Sequence, residues 1–252
     1  MALGLYGGLV AEVPAHAFYQ QEATYTAEAL ADAHAQLGQP SKAAEDLVWA
    51  LETSKLADQS DTFGRLALLR LATQDEGAYR QTCAALMAQS LPKNPDGNAA
   101  FQLAWTCCLL PDAGVDAAQV VRIAERAVAR NAKDPDYLIA LGAALYRAGR
   151  FQEAAKTLAD AEAAYLREQA TPTSGIYVTT SVTYSHLFLA MTHHRLGQHG
   201  QGTKWLIQAV EAIDSVPPAT RPSVDRTWTR RLTLQVLRKE AEALTAPAQA
   251  TD

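Results

Sequence analysis

Cysteine is scarce in this chain of 252 residues: Cys83, Cys107 and Cys108 are the whole complement. An odd count with two adjacent members fits no disulfide framework, so the three read as small core residues of a protein in a reducing compartment. Aromatics are also sparse, at 7%. No apolar run reaches the roughly 18 residues that a membrane-spanning helix needs, which predicts a cytoplasmic protein without membrane partners. The N-terminal stretch Met1–Val10 is apolar but short, has no basic start and is interrupted by Gly4, Gly7 and Gly8. It reads as a flexible lead-in over 1–16, not as a signal peptide. Positive charge is in deficit: 22 Lys and Arg against 27 Asp and Glu leave a net charge of -5. Without a basic stripe to neutralise phosphates, nucleic-acid binding is excluded as a function class. β-Branched alternation is rare; Ile176–Val182 has it and reads as a loop.

What the chain does have is alanine and helical periodicity. Hydrophobic residues make up 48%, much of it Ala, the residue that loses no side-chain entropy on entering a helix. The periodicity predicts eleven helices, over about 17–37, 41–55, 62–73, 76–90, 97–110, 116–131, 135–148, 151–168, 177–196, 201–213 and 224–244. Gly38, Gly149 and Gly197 each follow a helical run where a left-handed C-cap is needed. Pro92, Pro95, Pro111 and Pro135 punctuate the middle of the chain, and Pro217, Pro218 and Pro222 set the last helix apart.

The helices pair by a recurring pattern. Its clearest form runs Leu138, Leu141-Gly142, Leu145, Gly149-Arg150-Phe151, Ala154, Leu158, Ala161. Small residues at Gly142 and Ala154 let two antiparallel helices approach to the near end of the usual 8–10 Å range. The pattern recurs as Leu30-Ala31, His34, Gly38, Ala43, Leu47, Ala50, and as Leu189-Ala190, His193, Gly197, Gly202, Leu206, Ala209. Weaker copies keep Ala78, Thr82 and Ala85, and Leu103-Ala104, Cys107, Ala124 and Ala127 with a longer connection. A hairpin repeated in this way cannot bury its own apolar faces and depends on its neighbours, which predicts a solenoid.

These residues resemble the tetratricopeptide (TPR) repeat. The resemblance implies an all-α, α-α superhelix of TPR-like helical hairpins closed by a C-terminal capping helix. It divides the chain into a lead-in at 1–16, about five hairpins over 17–214, a Pro-rich linker and capping helix over 215–245, and a disordered tail at 246–252. The cap is expected to cover the fifth hairpin with Trp228, Leu232, Leu234, Val236, Leu237, Ala241 and Leu244. Arg226, Arg230, Arg231, Arg238, Lys239, Glu240 and Glu242 are then left in water. The stretch from about Arg65 to Asp214 also resembles the TPR region that accompanies bacterial (planctomycete-type) Ser/Thr protein kinases. It does so through Leu68-Leu69-Arg70-Leu71-Ala72, Tyr79-Arg80, Ala104-Trp105, Ala124-Glu125-Arg126-Ala127-Val128 and Leu145-Tyr146-Arg147-Ala148-Gly149-Arg150.

What the resemblance implies about function is a non-catalytic scaffold that takes a protein or peptide segment in a concave groove lined by the first helix of each hairpin. The groove candidates carried over by alignment are Phe101, Trp105, Tyr146, Arg147, Met191, His194 and Arg195. An aromatic and arginine wall suits a peptide with apolar anchors and some acidic character. The Lys and Asn clamp with which some members hold a C-terminal carboxylate has no counterpart: the matching positions hold Glu28 and Asp32, Ile139 and Ala143, or Leu187 and Met191. The kinase resemblance supplies an alternative, a regulatory region whose catalytic domain lies in another part of a signalling system. In either reading the chain's own loop at Ala170–Val182 is a candidate to fill the groove.

Catalytic and metal chemistry find little footing. His186, His193, His194 and His199 lie close in sequence, but no His-Glu-x-x-His motif is present and no metal is expected. Asp61-Thr62-Phe63-Gly64 has one residue too many for a kinase Asp-Phe-Gly, and Asp61 reads as a helix N-cap. No P-loop, glycine-rich nucleotide loop or nucleophile elbow occurs, so neither an enzyme nor a cofactor is predicted.

Overall fold

A computed structural model describes residues 8, 12, 16–54, 58–169, 182–215 and 227–245, without the side chains of 168, 169 and 227. Most of the predicted lead-in, the 170–181 loop, the Pro-rich linker with Arg226, and the C-terminal tail lie outside the described residues. The described residues form eleven α-helices: α1 (Ala17–Gln36), α2 (Pro40–Thr53), α3 (Ser60–Ala72), α4 (Glu76–Ser90), α5 (Gly97–Thr106), α6 (Ala117–Arg130), α7 (Pro135–Arg147), α8 (Phe151–Gln169), α9 (Val182–Arg195), α10 (His199–Asp214) and α11 (Thr227–Thr245). A single 3-10 turn, Leu91–Lys93, follows α4. No strand occurs among the described residues.

Five antiparallel hairpins follow from this order: α1/α2, α3/α4, α5/α6, α7/α8 and α9/α10. The helices divide into two compact units. Unit 1 holds α1–α4 and the part of α11 up to Leu232; unit 2 holds α5–α10 and α11 from Thr233. Within unit 1, α2 packs on α3; within unit 2, α6 packs on α7 and α8 on α9, while the first helices α5, α7 and α9 also touch in succession. This is the TPR-like helical-hairpin solenoid with a C-terminal capping helix that the repeat pattern predicts.

The turns show why the hairpins close so tightly. In α7/α8 the Gly149 amide bonds to the Tyr146 carbonyl (3.0 Å) and the Arg150 amide to the Leu145 carbonyl (2.9 Å), with Gly149 at φ 75°. That is a Schellman turn, which needs a left-handed residue at its centre. Gly38 and Gly197 centre identical turns. In α3/α4 the same two hydrogen bonds form around Gln74 at φ 61°, a position where a β-carbon is strained. The α5/α6 hairpin lacks this turn: its connection runs from Cys107 to Asp116. The periodicity carries α5 on to Leu110, but the helix ends at Thr106; Cys107, Cys108 and Leu109 are buried in the connection instead. Starts are capped by carboxylates: Asp75 accepts from the Ala78 amide, Asp116 from Ala118, and Asp134 from Asp136 and Tyr137 ahead of Pro135.

Alanine carries the core. Ala31, Ala67 and Ala190 are fully buried seven residues before the left-handed turns, Gly142 is buried at the same offset in α7, and Ala104 is fully buried in α5. A β-carbon on Gly142 would sit 2.5 Å from Leu158 Cγ, so the absence of a side chain sets the α7/α8 approach. On Gly202 it would meet the Ala190 carbonyl oxygen at 2.9 Å, so α10 lies directly against the α9 backbone there. Ala50, Ala127, Ala161 and Ala209 are all buried, as the pattern requires, but Ala85 is exposed. The second hairpin is one residue out of the predicted register. Its fully buried series is Tyr79, Cys83 and Leu86; of the predicted series Thr82 is buried, but Ala78 is only half-buried and Ala85 is exposed. Large residues fill the positions that are small in the other hairpins, and one step along a helix turns a side chain by about 100° onto another face. Asp61 is also not the N-cap: Gln59 is, and Asp61 lies in the first turn of α3, reaching Arg65.

Candidate functional site

In unit 2 the first helices build a wall of aromatic rings around one arginine. Trp105 of α5 lies 5.2 Å from the Tyr184 ring and 6.2 Å from Phe188, both on α9. Tyr146 of α7 meets Phe188 edge-on at 5.8 Å and Phe151 at 5.6 Å. The Arg147 guanidinium stands 5.4 Å from the ring centres of both Tyr146 and Phe188, within cation–π reach. Its Nε donates to the Cys108 carbonyl at 2.9 Å. Its two terminal nitrogens grip the Glu240 carboxylate of α11 in a fork, Nη1 on Oε1 and Nη2 on Oε2, the latter at 2.6 Å. Burial opposes the arginine charge, but the Glu240 hydrogen bonds and negative charge outweigh it and raise the pKa above its ordinary value. The Tyr146 hydroxyl is pushed up mainly by burial, against a hydrogen bond from Arg195.

The predicted wall residues therefore fall in different settings. Trp105, Tyr146 and Arg147 come together, with Arg195 on the Tyr146 hydroxyl. Phe101 is half-buried and pairs with Tyr137 at 5.8 Å. Met191 is fully buried and presents no surface. His194 is half-buried, its ring 4.5 Å from that of His199. Burial, then the neighbouring His199 and Arg195, hold its pKa below the usual histidine value. Two members of the site went unrecognised in the sequence. Phe188, at 0% exposure, is the ring that joins Trp105 to Tyr146. Its signal was an aromatic residue directly before the Leu189-Ala190 repeat pair. Glu240 was expected in water with Arg238, Lys239 and Glu242, yet it turns to Arg147. Arg238 bridges Asp214 at 2.6 Å and Glu242 at 2.7 Å.

The capping helix thus reaches the fourth hairpin through Glu240 as well as the fifth through Arg238. In unit 2 its Thr233, Leu234, Leu237 and Ala241 are buried; Val236 and Leu244 are half-buried.

Unit 1 holds a different charged cluster. Arg65, 3% exposed, is surrounded by Glu28, Asp32 and Asp61 at 2.9, 3.3 and 3.2 Å. The Asp32 contact is aligned as a hydrogen bond; those to Glu28 and Asp61 are at ion-pair distance without that alignment. Thr62 donates to Glu28, and the buried Trp228 indole donates to Asp32 Oδ1 at 3.1 Å. The positions that hold the carboxylate clamp in some TPR proteins thus carry acids here, already engaged by an internal arginine.

Among the described residues, His194 and His199 meet, but His186 and His193 have other partners. His186 pairs with Glu162 at 3.3 Å, its ring tilted 5.0 Å from that of Trp205, and His193 bonds Gln198. No group of three or more metal-ligating side chains occurs among the described residues. The cysteines are buried. No helix among the described residues is long and apolar enough to cross a membrane.

No family model matches this chain, and no curated protein matches it. Solved structures do. TTC0263, a thermophilic TPR protein of Thermus thermophilus, superposes with a TM-score of 0.52 at 16% identity, over 88% of this chain and 100% of that one. MamA (AMB-1) aligns with a TM-score of 0.45 at 18% identity over 75% of this chain and 99% of its own. Acl4, an assembly chaperone of RpL4 (residues 1–338), gives 0.44 at 15% identity over 96% and 94%. The chain has the TPR-like fold.

Proposed function

We propose that this protein is a non-catalytic scaffold that recognises a protein segment on the aromatic–arginine wall of unit 2. The observation that carries the reading is the wall itself. Tyr146 of α7 and Phe188 of α9 face one guanidinium and Trp105 of α5 abuts Phe188, an arrangement of Trp, Tyr and Arg that suits protein anchors. The fold supports it, since repeated hairpins present side chains from successive first helices side by side. The reading takes residues 17–214 as one array with 215–245 as linker and cap, acting in the cytoplasm without cofactor. Its site residues are Trp105, Tyr146, Arg147 and Arg195, with Phe101 and His194 beside them and Met191 supporting from within. The kinase-associated alternative draws on the residue resemblance alone.

The test is affinity capture with the wild type, Arg147→Glu and Arg195→Glu. The expected result is a specific partner recovered by the wild type and lost or sharply depleted with both variants. Equal recovery by all three, with all folded, overturns the assignment.

A further inference from the structure

Resting on that reading, we infer that α11 is a resident ligand of the wall, and that the partner is an amphipathic helix carrying a carboxylate that takes the place of Glu240. α11 stands outside the five hairpins, and Arg147 takes its carboxylate from there and not from a hairpin helix. In unit 2, Leu234, Leu237 and Ala241 of α11 are buried, Arg238 bridges Asp214, and Glu240 bridges Arg147. The Cys108 carbonyl and the Tyr146 and Phe188 rings that also meet Arg147 belong to the hairpins, so those contacts do not depend on α11.

The chemistry of the vacated site then dictates the replacement. Arg147 is almost entirely buried, and its third donor is tied to the Cys108 carbonyl, so it cannot swing out into water without breaking that bond. Removing Glu240 strands a buried guanidinium between two aromatic rings, a state far costlier than the intact pair. Any competitor must therefore bring a carboxylate in bidentate geometry. Glu240 is flanked one turn back by Leu237 and one step on by Ala241, both at 0% exposure. A competing helix thus needs a large apolar residue three positions before its acid and a small one directly after it. An apolar helix without the acid leaves Arg147 unpaired; an acid without the apolar pair lacks the area that seats it.

The experiment uses the full-length chain and a fluorescent peptide with the sequence of residues 227–245, read by anisotropy. Wild type, Glu240→Lys and Arg147→Glu chains are compared, each checked by circular dichroism for retained helix. In Glu240→Lys the chain's own helix is repelled by Arg147, so the peptide binds about tenfold or more tighter than to the wild type, where it must compete with α11. A peptide carrying Lys in place of Glu240 does not bind that variant. The Arg147→Glu chain reverses the preference and takes the Lys peptide over the Glu one, which separates a specific pair from general loosening. Equal peptide binding by the wild type and Glu240→Lys, or binding indifferent to the sign at position 240, overturns the inference. So does concentration-dependent dimerisation of Glu240→Lys that excludes the peptide, since the occupant is then α11 of a second copy. The assay needs no cellular partner, so its outcome is independent of whether affinity capture recovers one.

Discussion

Unit 1 and unit 2 each hold a segment of α11, and they do it with opposite chemistry. In unit 1 the cluster is anionic: Glu28, Asp32 and Asp61 gather on Arg65, and the ligand is a neutral donor, the Trp228 indole. In unit 2 the wall is aromatic and cationic, and the ligand is a carboxylate. The difference lies in where the countercharge comes from. Arg65 finds its acids within α1 and α3 of the hairpins themselves, so its neutralisation is independent of α11. Arg147 finds its acid on α11, so unit 2 is electrostatically complete with the helix in place and incomplete without it. One arginine is neutralised within the hairpins; the other depends on the capping helix.

The largest expected effect breaks the first cluster. Arg65→Ala leaves three carboxylates crowded around a buried void and should lower the unfolding free energy by about 3–5 kcal/mol, measured by urea denaturation. Arg147→Ala should cost less globally, because Glu240 can leave with α11. Its signature is fast amide hydrogen exchange confined to α11 while α7–α10 stay protected. Equal global losses for the two variants break the distinction. Next in size, Gly202→Ala drives a β-carbon onto the Ala190 carbonyl and should cost about 1–3 kcal/mol, seen as a lower melting temperature of unit 2. Unit 1 offers the converse at its left-handed turn. Gln74→Gly relieves a positive φ and should stabilise by about 0.5–1 kcal/mol, whereas Gly149→Ala in unit 2 should destabilise by a similar amount. The smallest effect is in pH. With its folded pKa below 6.5, His194 binds protons more weakly folded than unfolded, so stability is full above 6.5 and declines as pH falls below it. The effect is small because the ring is only half-buried, and His194→Gln should flatten the slope of melting temperature against pH in that window.

Much of this was open to reading from residue order. The Leu-Gly pair at 141–142 and the turn at Gly149 announce a close hairpin, because both encode local backbone requirements. The second hairpin was misread for the same local reason. Small residues at 78 and 85 mimic the pattern one step from the fully buried Tyr79 and Leu86, and Gln74 hides a turn that glycine marks elsewhere. Phe188 and Glu240 belong to a different category. Trp105, Tyr146 and Arg147 could be placed on a common wall by repeat alignment, since equivalent positions in stacked hairpins are neighbours. No alignment reports which face of α11 turns inward, because α11 is not a repeat.

Residue order by itself determined the helices, their turns and the use of alanine and glycine to bring them together, since each of these depends on a few neighbouring residues and on helical geometry. Tertiary structure alone decided the pairing of Arg147 with Glu240 and of Asp32 with Trp228. Those partners are 93 and 196 residues apart, and a charge on a helix surface looks the same in sequence whether it meets water or a buried counterion.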